Sequence, residues 1–330
     1  MNKDAAKTHI YSTIIIGLGG IGLNYDLKLD KNKYVYTHSS AISLHSGFEL
    51  KGGVDRNNDA CKTFTQHYNV KSFKSIKDAL TEIKPEVIII ATSTNFHLKA
   101  IREINKYHKP IAILCEKPMG GDFKQGKEII KICKKMGVSL YVNYVRSCLP
   151  GSMIIKSRIQ KNLIKTPMKC VLWYSKGLKH NGTHFINLME DWFGKCLQVK
   201  IINKGRKTED FGLEPSVFLE FENCEVTLIA AWEEFYSHYT IELISASGRL
   251  YWNKSTIDWN EVINDDLVDG YKKLSFKTEE ILIGIEKYQL HVLDQLFFAL
   301  QGSESFICNG EQALETLNTI DRIERSDDCE

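Results

Sequence analysis

The sequence has no long apolar run, no surplus of charge and no paired cysteines, and each absence removes a class of protein. Its residues up to Ser12 are largely polar, and the apolar stretch behind them is far too short for a signal or a membrane span. No membrane partner is therefore expected, and the cytoplasm is the expected compartment. Lys and Arg number 43 against 41 Asp and Glu, a net charge of +2, and they are spread through helical segments and loops. Without a basic arm or stripe, a nucleic-acid partner is not expected. The nine cysteines are odd in number and never form C-x-x-C, which reads as free thiols in a reducing compartment. What the chain does have is length and apolar content. Its 330 residues, 43% of them hydrophobic, suffice for two domains with sizeable cores.

The first of these is organised around Thr13-Ile14-Ile15-Ile16-Gly17-Leu18-Gly19-Gly20-Ile21-Gly22. A β-branched run that fits a buried strand leads straight into G-x-G-x-x-G. Gly17 allows a tight turn, Gly19 lets bare backbone approach a pyrophosphate, and Gly22 lets a helix pack close to the strand. The helix start, with unpaired N–H groups and the positive end of its dipole, is the anion site. Gly17, Gly19, Gly20, Ile21 and Gly22 are thus candidate cofactor contacts. The next strand, Phe48–Val54, ends at Asp55, well beyond the usual spacing of about 20 residues. The excess falls in a polar, tyrosine-containing stretch from about Asn24 to Tyr36, read either as one wall of the cofactor or substrate cleft or as a surface loop. Asp55 sits where a carboxylate accepts from the adenosine ribose hydroxyls, which favours NAD. Arg56 beside it would suit a 2′-phosphate, so NADP stays open.

Helices and strands then alternate. A helix from Ala60 to Tyr68, a strand from Val70 to Phe73 and a Ser75-capped helix lead to the apolar strand Pro85–Ala91. That strand empties into Thr92-Ser93-Thr94-Asn95-Phe96-His97, at the carboxyl end where open α/β sheets bind ligands. A helix from His97 to Tyr107 precedes the strand Ile111–Cys115, which ends in Glu116-Lys117-Pro118. A helix from Asp122 to Met136 and the strand Ser139–Val142 follow. The alternation predicts a parallel sheet with right-handed crossovers.

The glycine turn, the Ala-Thr-Ser-Thr-Asn-Phe-His segment, Cys-Glu-Lys-Pro-Met and Asn143-Tyr144-Val145-Arg146-Ser147-Cys148-Leu149-Pro150 together resemble the Gfo/Idh/MocA family of oxidoreductases, typified by glucose–fructose oxidoreductase and inositol dehydrogenase. In the second half, His180-Asn181-Gly182-Thr183-His184 resembles the family's Asp-x-Gly-x-His segment. Gly248-Arg249-Leu250 resembles its Gly-x-Gly-x-Leu turn, and Tyr288 through Arg325 its closing helices. The resemblance implies an α/β protein: an NAD(P)-binding Rossmann domain at 1–147, then an α/β domain at 148–330 with an open, mostly antiparallel sheet for substrate and for homodimer or homotetramer formation. Strand-like segments at Lys169–Tyr174, Leu197–Asn203, Ser216–Glu222, Cys224–Trp232 and Tyr239–Ile244 agree. Trp173, Trp232, Phe235, Tyr236, Tyr251, Trp252 and Trp259 read mainly as core or subunit interface.

Hydride transfer from a secondary alcohol needs a group to take the hydroxyl proton, with a pKa near the working pH. Lys117 follows a sheet strand, and desolvation with a nearby nicotinamide cation would lower its pKa. By the resemblance Lys117 contacts the substrate hydroxyl and Glu116 helps to place it, both beside the cofactor segment Thr92, Ser93, Thr94, Asn95 and His97. His184 matches the family histidine and is the second catalytic candidate. His180 stands where the family carries Asp, which puts the usual proton relay in doubt and leaves His180 or Asn181 to bind substrate. The i, i+4 pair His180 and His184 has no third ligand in view, so no metal is expected. Arg146 and Tyr144 are expected to line the substrate cleft, and His38 is a further candidate near it. The reading is a sugar dehydrogenase or reductase for a sugar or nucleotide-sugar substrate, an activated or amino sugar of surface-polysaccharide biosynthesis. The alternatives are a cyclitol or free-sugar dehydrogenase and a non-catalytic dinucleotide-binding sensor.

Overall fold

The computed structural model describes residues 9–231, 233 and 235–326. Trp232 and Cys329 lie outside them. The first half alternates strand and helix: β1 (Tyr11–Ile16), α1 (His38–Leu44), β2 (Phe48–Val54), α2 (Asn58–Tyr68), β3 (Ser72–Phe73), α3 (Ile76–Ile83), β4 (Val87–Ile90), α4 (His97–Tyr107), β5 (Ala112–Cys115), α5 (Phe123–Met136) and β6 (Ser139–Val142). The six strands are parallel in the order β3-β2-β1-β4-β5-β6, two βαβ halves diverging from β1 and β4. β4 is wholly apolar and β1 ends in three isoleucines because both faces are covered there; Ile14, Ile15, Ile88 and Ile89 are fully buried. Four of the helix starts in this half have a side-chain cap. Thr37, Asn57, Ser75 and Asp122 accept hydrogen bonds from first-turn N–H groups of α1, α2, α3 and α5.

The second half contains α6 (Pro150–Gln160), β7 (Met168–Tyr174), α7 (Thr183–Phe193), β8 (Cys196–Thr208), β9 (Gly212–Phe221), β10 (Glu225–Ala230), β11 (Thr240–Ser245), β12 (Gly248–Asn253), β13 (Thr256–Asn264), β14 (Lys272–Leu274) and β15 (Glu279–Leu282), followed by α8 (Tyr288–Leu300) and α9 (Gly310–Arg325). The sheet order is β14-β13-β12-β11-β7-β10-β9-β8, with β15 on β13. All pairings are antiparallel except β7 with β10. Alternation along β7 buries Met168, Cys170, Leu172 and Tyr174 and leaves Lys169, Val171 and Trp173 on the other face. Trp252 and Trp259 are buried, while Phe235 and Tyr236 are exposed. The eight described cysteines are all buried, and none of them is in a disulfide. No helix among the described residues is long and apolar enough to cross a membrane.

The division of the chain differs from the expected one. The first unit ends at Val145 and takes back Glu286–Glu311, and the second comprises Arg146–Ile285 and the chain from Gln312 on. The reason is the packing of α8 within the first unit. Val35 N–H donates to the Glu286 carbonyl at 2.9 Å, the Tyr288 hydroxyl donates to the Tyr36 carbonyl at 2.9 Å, and the Tyr36 and Tyr288 rings stack 5.2 Å apart. Phe297 packs on Tyr11 and Phe48. The inserted stretch therefore has a defined place, as the seat of α8.

Candidate active site

β1 runs into Gly17, whose φ of +102° excludes most side chains and whose Cβ would stand 2.7 Å from the Ala91 carbonyl group. Gly22 is as tightly packed, since a Cβ there would come 2.1 Å from the Gly17 carbonyl oxygen. Gly19 is different: a Cβ there meets no protein atom within 4 Å. The space beside it is open, and Gly19 lines a cavity there. Behind it the backbone winds wide, the Asn24 and Tyr25 N–H groups donating to the carbonyls of Gly19 and Gly20. Regular helix resumes only at α1. There the buried Asp26 accepts from the Tyr36 and Thr37 N–H groups at 2.7 and 2.9 Å and from the Thr37 hydroxyl at 2.7 Å.

Beside the turn opens a cavity of about 490 Å³, lined by Gly17, Gly19, Asp55, Arg56, Thr92 and Ser93 among others. Asp55 accepts from the Leu18 and Asn57 N–H groups, both at 2.8 Å. Two of its roughly four lone-pair sites remain for ribose hydroxyls. Arg56 stacks over Phe96 at 5.1 Å. These residues fit a dinucleotide: open backbone at Gly19 for the pyrophosphate and a fixed carboxylate for the adenosine ribose. Gly20, Ile21 and Gly22 continue the turn behind the cavity, and Thr94 and Asn95 form the turn that starts α4. His97 requires a correction. It is fully buried, its ring nitrogens facing the Met119 and Thr92 carbonyls at 3.3 and 2.9 Å, so it braces two loops and has no surface left for a cofactor.

Glu116 and Lys117 stand at the carboxyl end of β5, outside that cavity wall. Glu116 is the junction of three elements. Its Oε1 meets His38 Nε2 at 2.8 Å and accepts from Asn143 Nδ2 at 2.6 Å, while Oε2 accepts from the Lys117 N–H at 3.3 Å. Asn143 also donates to Gln289 on α8 at 3.2 Å. Burial pushes the Glu116 carboxyl up, but the His38 hydrogen bond and charge, the Asn143 amide and the nearby Lys117 outweigh it and hold it below the usual carboxylate range. His38 was only a loosely placed candidate in the sequence, and Asn143 and Gln289 gave no signal as partners. Tyr144 is corrected as well: it is 1% exposed, a core residue unable to line a cleft.

In the second unit the motif also sits on a wide turn, Gly177–Gly182, which runs into α7 with His184 in its first turn. Lys176 and Gly177 are left-handed, and the Gly177 N–H donates to the buried Glu214 at 2.9 Å; Glu214 also receives Arg206 Nε at 2.9 Å. His180 packs on Phe211 at 5.4 Å, and His184 is buried. Asn181 lies between them in the turn. Arg146 caps Phe185 and Tyr239, 4.3 and 5.0 Å from the ring centres, and desolvation, opposed by Tyr239, lowers its pKa to about 10. Among the described residues no three of His, Cys, Asp and Glu gather as a metal site would require.

Residues 12–144 match the family model described as an oxidoreductase family with an NAD-binding Rossmann fold. An uncharacterised oxidoreductase of Streptococcus pneumoniae serotype 4 is 20% identical over 322 residues, covering 81% of this chain and 87% of that protein. The structure resembles that of the WlbA dehydrogenase from Bordetella pertussis in complex with NADH and UDP-GlcNAcA, with a TM-score of 0.76 at 16% identity over 96% of this chain and 95% of that one. It equally resembles an oxidoreductase from Agrobacterium radiobacter in complex with NAD+, L-tartaric acid and magnesium, with a TM-score of 0.76 at 13% identity over 97% and 96%. Residues 12–144, which carry the glycine turn and the Glu-Lys-Pro corner, are thus similar to that oxidoreductase family and share its NAD-binding Rossmann fold.

Proposed function

We propose that the protein transfers a hydride between nicotinamide and a secondary alcohol or ketone of a sugar, an activated or amino sugar of surface-polysaccharide biosynthesis. The observation that carries this is the Glu116–Lys117 corner, where a lysine follows a central strand and the carboxylate before it is fixed from two sides by His38 and Asn143. Breaking a carbinol C–H bond requires a base for the hydroxyl proton in the same transition state. Lys117 takes that proton from the substrate oxygen and returns it in the reverse direction. Glu116 fixes the lysine's backbone. Bound at Gly19 and Asp55, NAD supplies the hydride chemistry. His184 is the second proton carrier, and His180 and Asn181 bind substrate hydroxyls without the carboxylate that related sequences place there.

The UDP-GlcNAcA bound to the Bordetella protein supports a nucleotide-sugar substrate. The exposed strip Val171, Trp173 and Ile244 supports a homodimer or homotetramer through the second sheet. The test is calorimetric titration with NAD and NADP, oxidised and reduced, with and without a panel of UDP-sugars. Tight NAD binding that strengthens or turns over with one nucleotide sugar supports the reading. Turnover confined to inositol or free sugars would replace its substrate, and failure of every dinucleotide to bind would end it.

A further inference from the structure

Six arginines belong to the second unit, and five have partners. Arg158 pairs bidentately with Glu279 at 2.9 and 2.6 Å, Arg206 with Glu214, Arg249 with Glu242 and Arg325 with Asp321, and Arg322 donates to the Cys196 and Leu197 carbonyls. Arg146 is the exception. Among the described residues no carboxylate pairs with it and no acceptor takes its N–H groups, yet none of its nitrogens is sealed from solvent.

Its surroundings make that exception costly. Phe185 and Tyr239 stand 5.3 Å apart, tilted by 44°, and the guanidinium caps the pair. The rings offer it some cation–π attraction but no hydrogen bond, and burial has already weakened its hold on its proton. A partly buried guanidinium that meets no acceptor among the described residues can receive a carboxylate or phosphate bidentately. Phe185 is the residue after His184, so the same helical turn carries both the histidine of the motif and the floor under Arg146.

We infer that Arg146 receives an anionic group of the substrate, a carboxylate or a phosphate, and so selects an acidic sugar or sugar phosphate over a neutral sugar. The sugar part of this statement rests on the proposed function; the preference for an anion rests on Arg146 alone.

The experiment is calorimetric titration of the full-length protein, saturated with NAD, with D-glucose, D-glucuronate and D-glucose 6-phosphate. One of the two anions should bind at least about tenfold more tightly than glucose, and which one does so distinguishes carboxylate from phosphate. Arg146→Met should abolish that preference while leaving NAD affinity unchanged, and Arg146→Lys, which keeps the charge but loses the fork, should retain part of it. If Arg146→Met fails to fold, Arg146→Gln takes its place, and anion affinity should rank Arg above Lys above Gln. Equal binding of glucose and both anions, binding of neither anion at about 10 mM, or an anion preference that survives the loss of Arg146 would overturn the inference. No hydride transfer is needed, so a protein that binds the anion but oxidises no sugar would refute the proposed activity and leave this inference standing.

Discussion

Each unit of the molecule places its motif on a wide, π-wound turn, Gly20–Asn24 in the first and Gly177–Gly182 in the second, but the two turns are built differently. The first is a backbone device. Gly17 and Gly22 are demanded by the fold, Gly19 is not, and the one carboxylate involved, Asp55, is clamped to the loop's own N–H at Leu18. The second is a side-chain device, stiffened by the Glu214–Arg206 pair, with His180 on the turn and His184 in the first turn of α7, and with a guanidinium resting on the phenylalanine after His184. A backbone site binds what every dinucleotide shares. A side-chain site can be retuned one residue at a time, which is why the proposed function assigns substrate identity to it.

The largest effect expected from breaking this division is at Lys117. Lys117→Ala should lower turnover by about 10² to 10⁴ and leave NAD affinity nearly intact, because a general base acts in the transition state. Parallel loss of cofactor affinity in the same titration would place Lys117 in the backbone device instead. Next come the glycines. Gly19→Val should weaken NAD binding by about 100-fold with little change in melting temperature, since the added atoms meet only the ligand. Gly22→Val should instead lower the melting temperature, as its Cβ collides with the Gly17 carbonyl oxygen. Similar melting curves for the two variants would erase the distinction between a ligand-imposed and a fold-imposed glycine.

A third expectation concerns the stability of α7 rather than its chemistry. Glu190, buried on that helix, has its pKa raised to about 7 by desolvation, against the opposing hydroxyls of Thr316 and Thr319. The fold therefore favours the neutral acid. That stabilisation is complete below the ordinary carboxyl range and is lost as pH rises through about 7. The loss is about 3 kcal/mol at 1.36 kcal/mol per unit. Glu190→Gln should be free of it, so differential scanning calorimetry should show the variant gaining on the wild type between pH 5 and pH 8. A constant difference across that range would mean that Glu190 is ionised throughout.

The smallest effect tests the junction beneath Lys117. His38→Leu should reduce turnover about tenfold without changing NAD affinity, and His38→Gln, which can still donate to Glu116, should recover most of it. Equal loss in both variants would assign His38 to packing alone.

Much of the first unit could be read from the chain because its information is local. The isoleucines of β1 and β4 are apolar on both faces, Ser75 and Asp122 cap helices within three residues of themselves, and the glycine turn is contiguous. The ends of β2, α4 and β6 follow from such cues. The second sheet was partly legible through alternation, as along β7, whereas β13, β14 and β15 carry mixed polar sequence and find their places through neighbours.

The amino-acid sequence by itself determined the nucleotide-binding architecture, the dinucleotide class and the lysine at the end of β5, because strand periodicity, caps and glycine requirements act over a few residues. Only the tertiary structure decided that α8 returns to the first unit, that His97 and Tyr144 are buried supports, and that His38, Asn143 and Gln289 converge on Glu116. It alone set Arg146 on the rings of Phe185 and Tyr239, with no carboxylate partner among the described residues. Those outcomes depend on hydrogen bonds and packing between residues tens to hundreds of positions apart, and the chemistry of a buried side chain is set by such partners and not by its sequence neighbours.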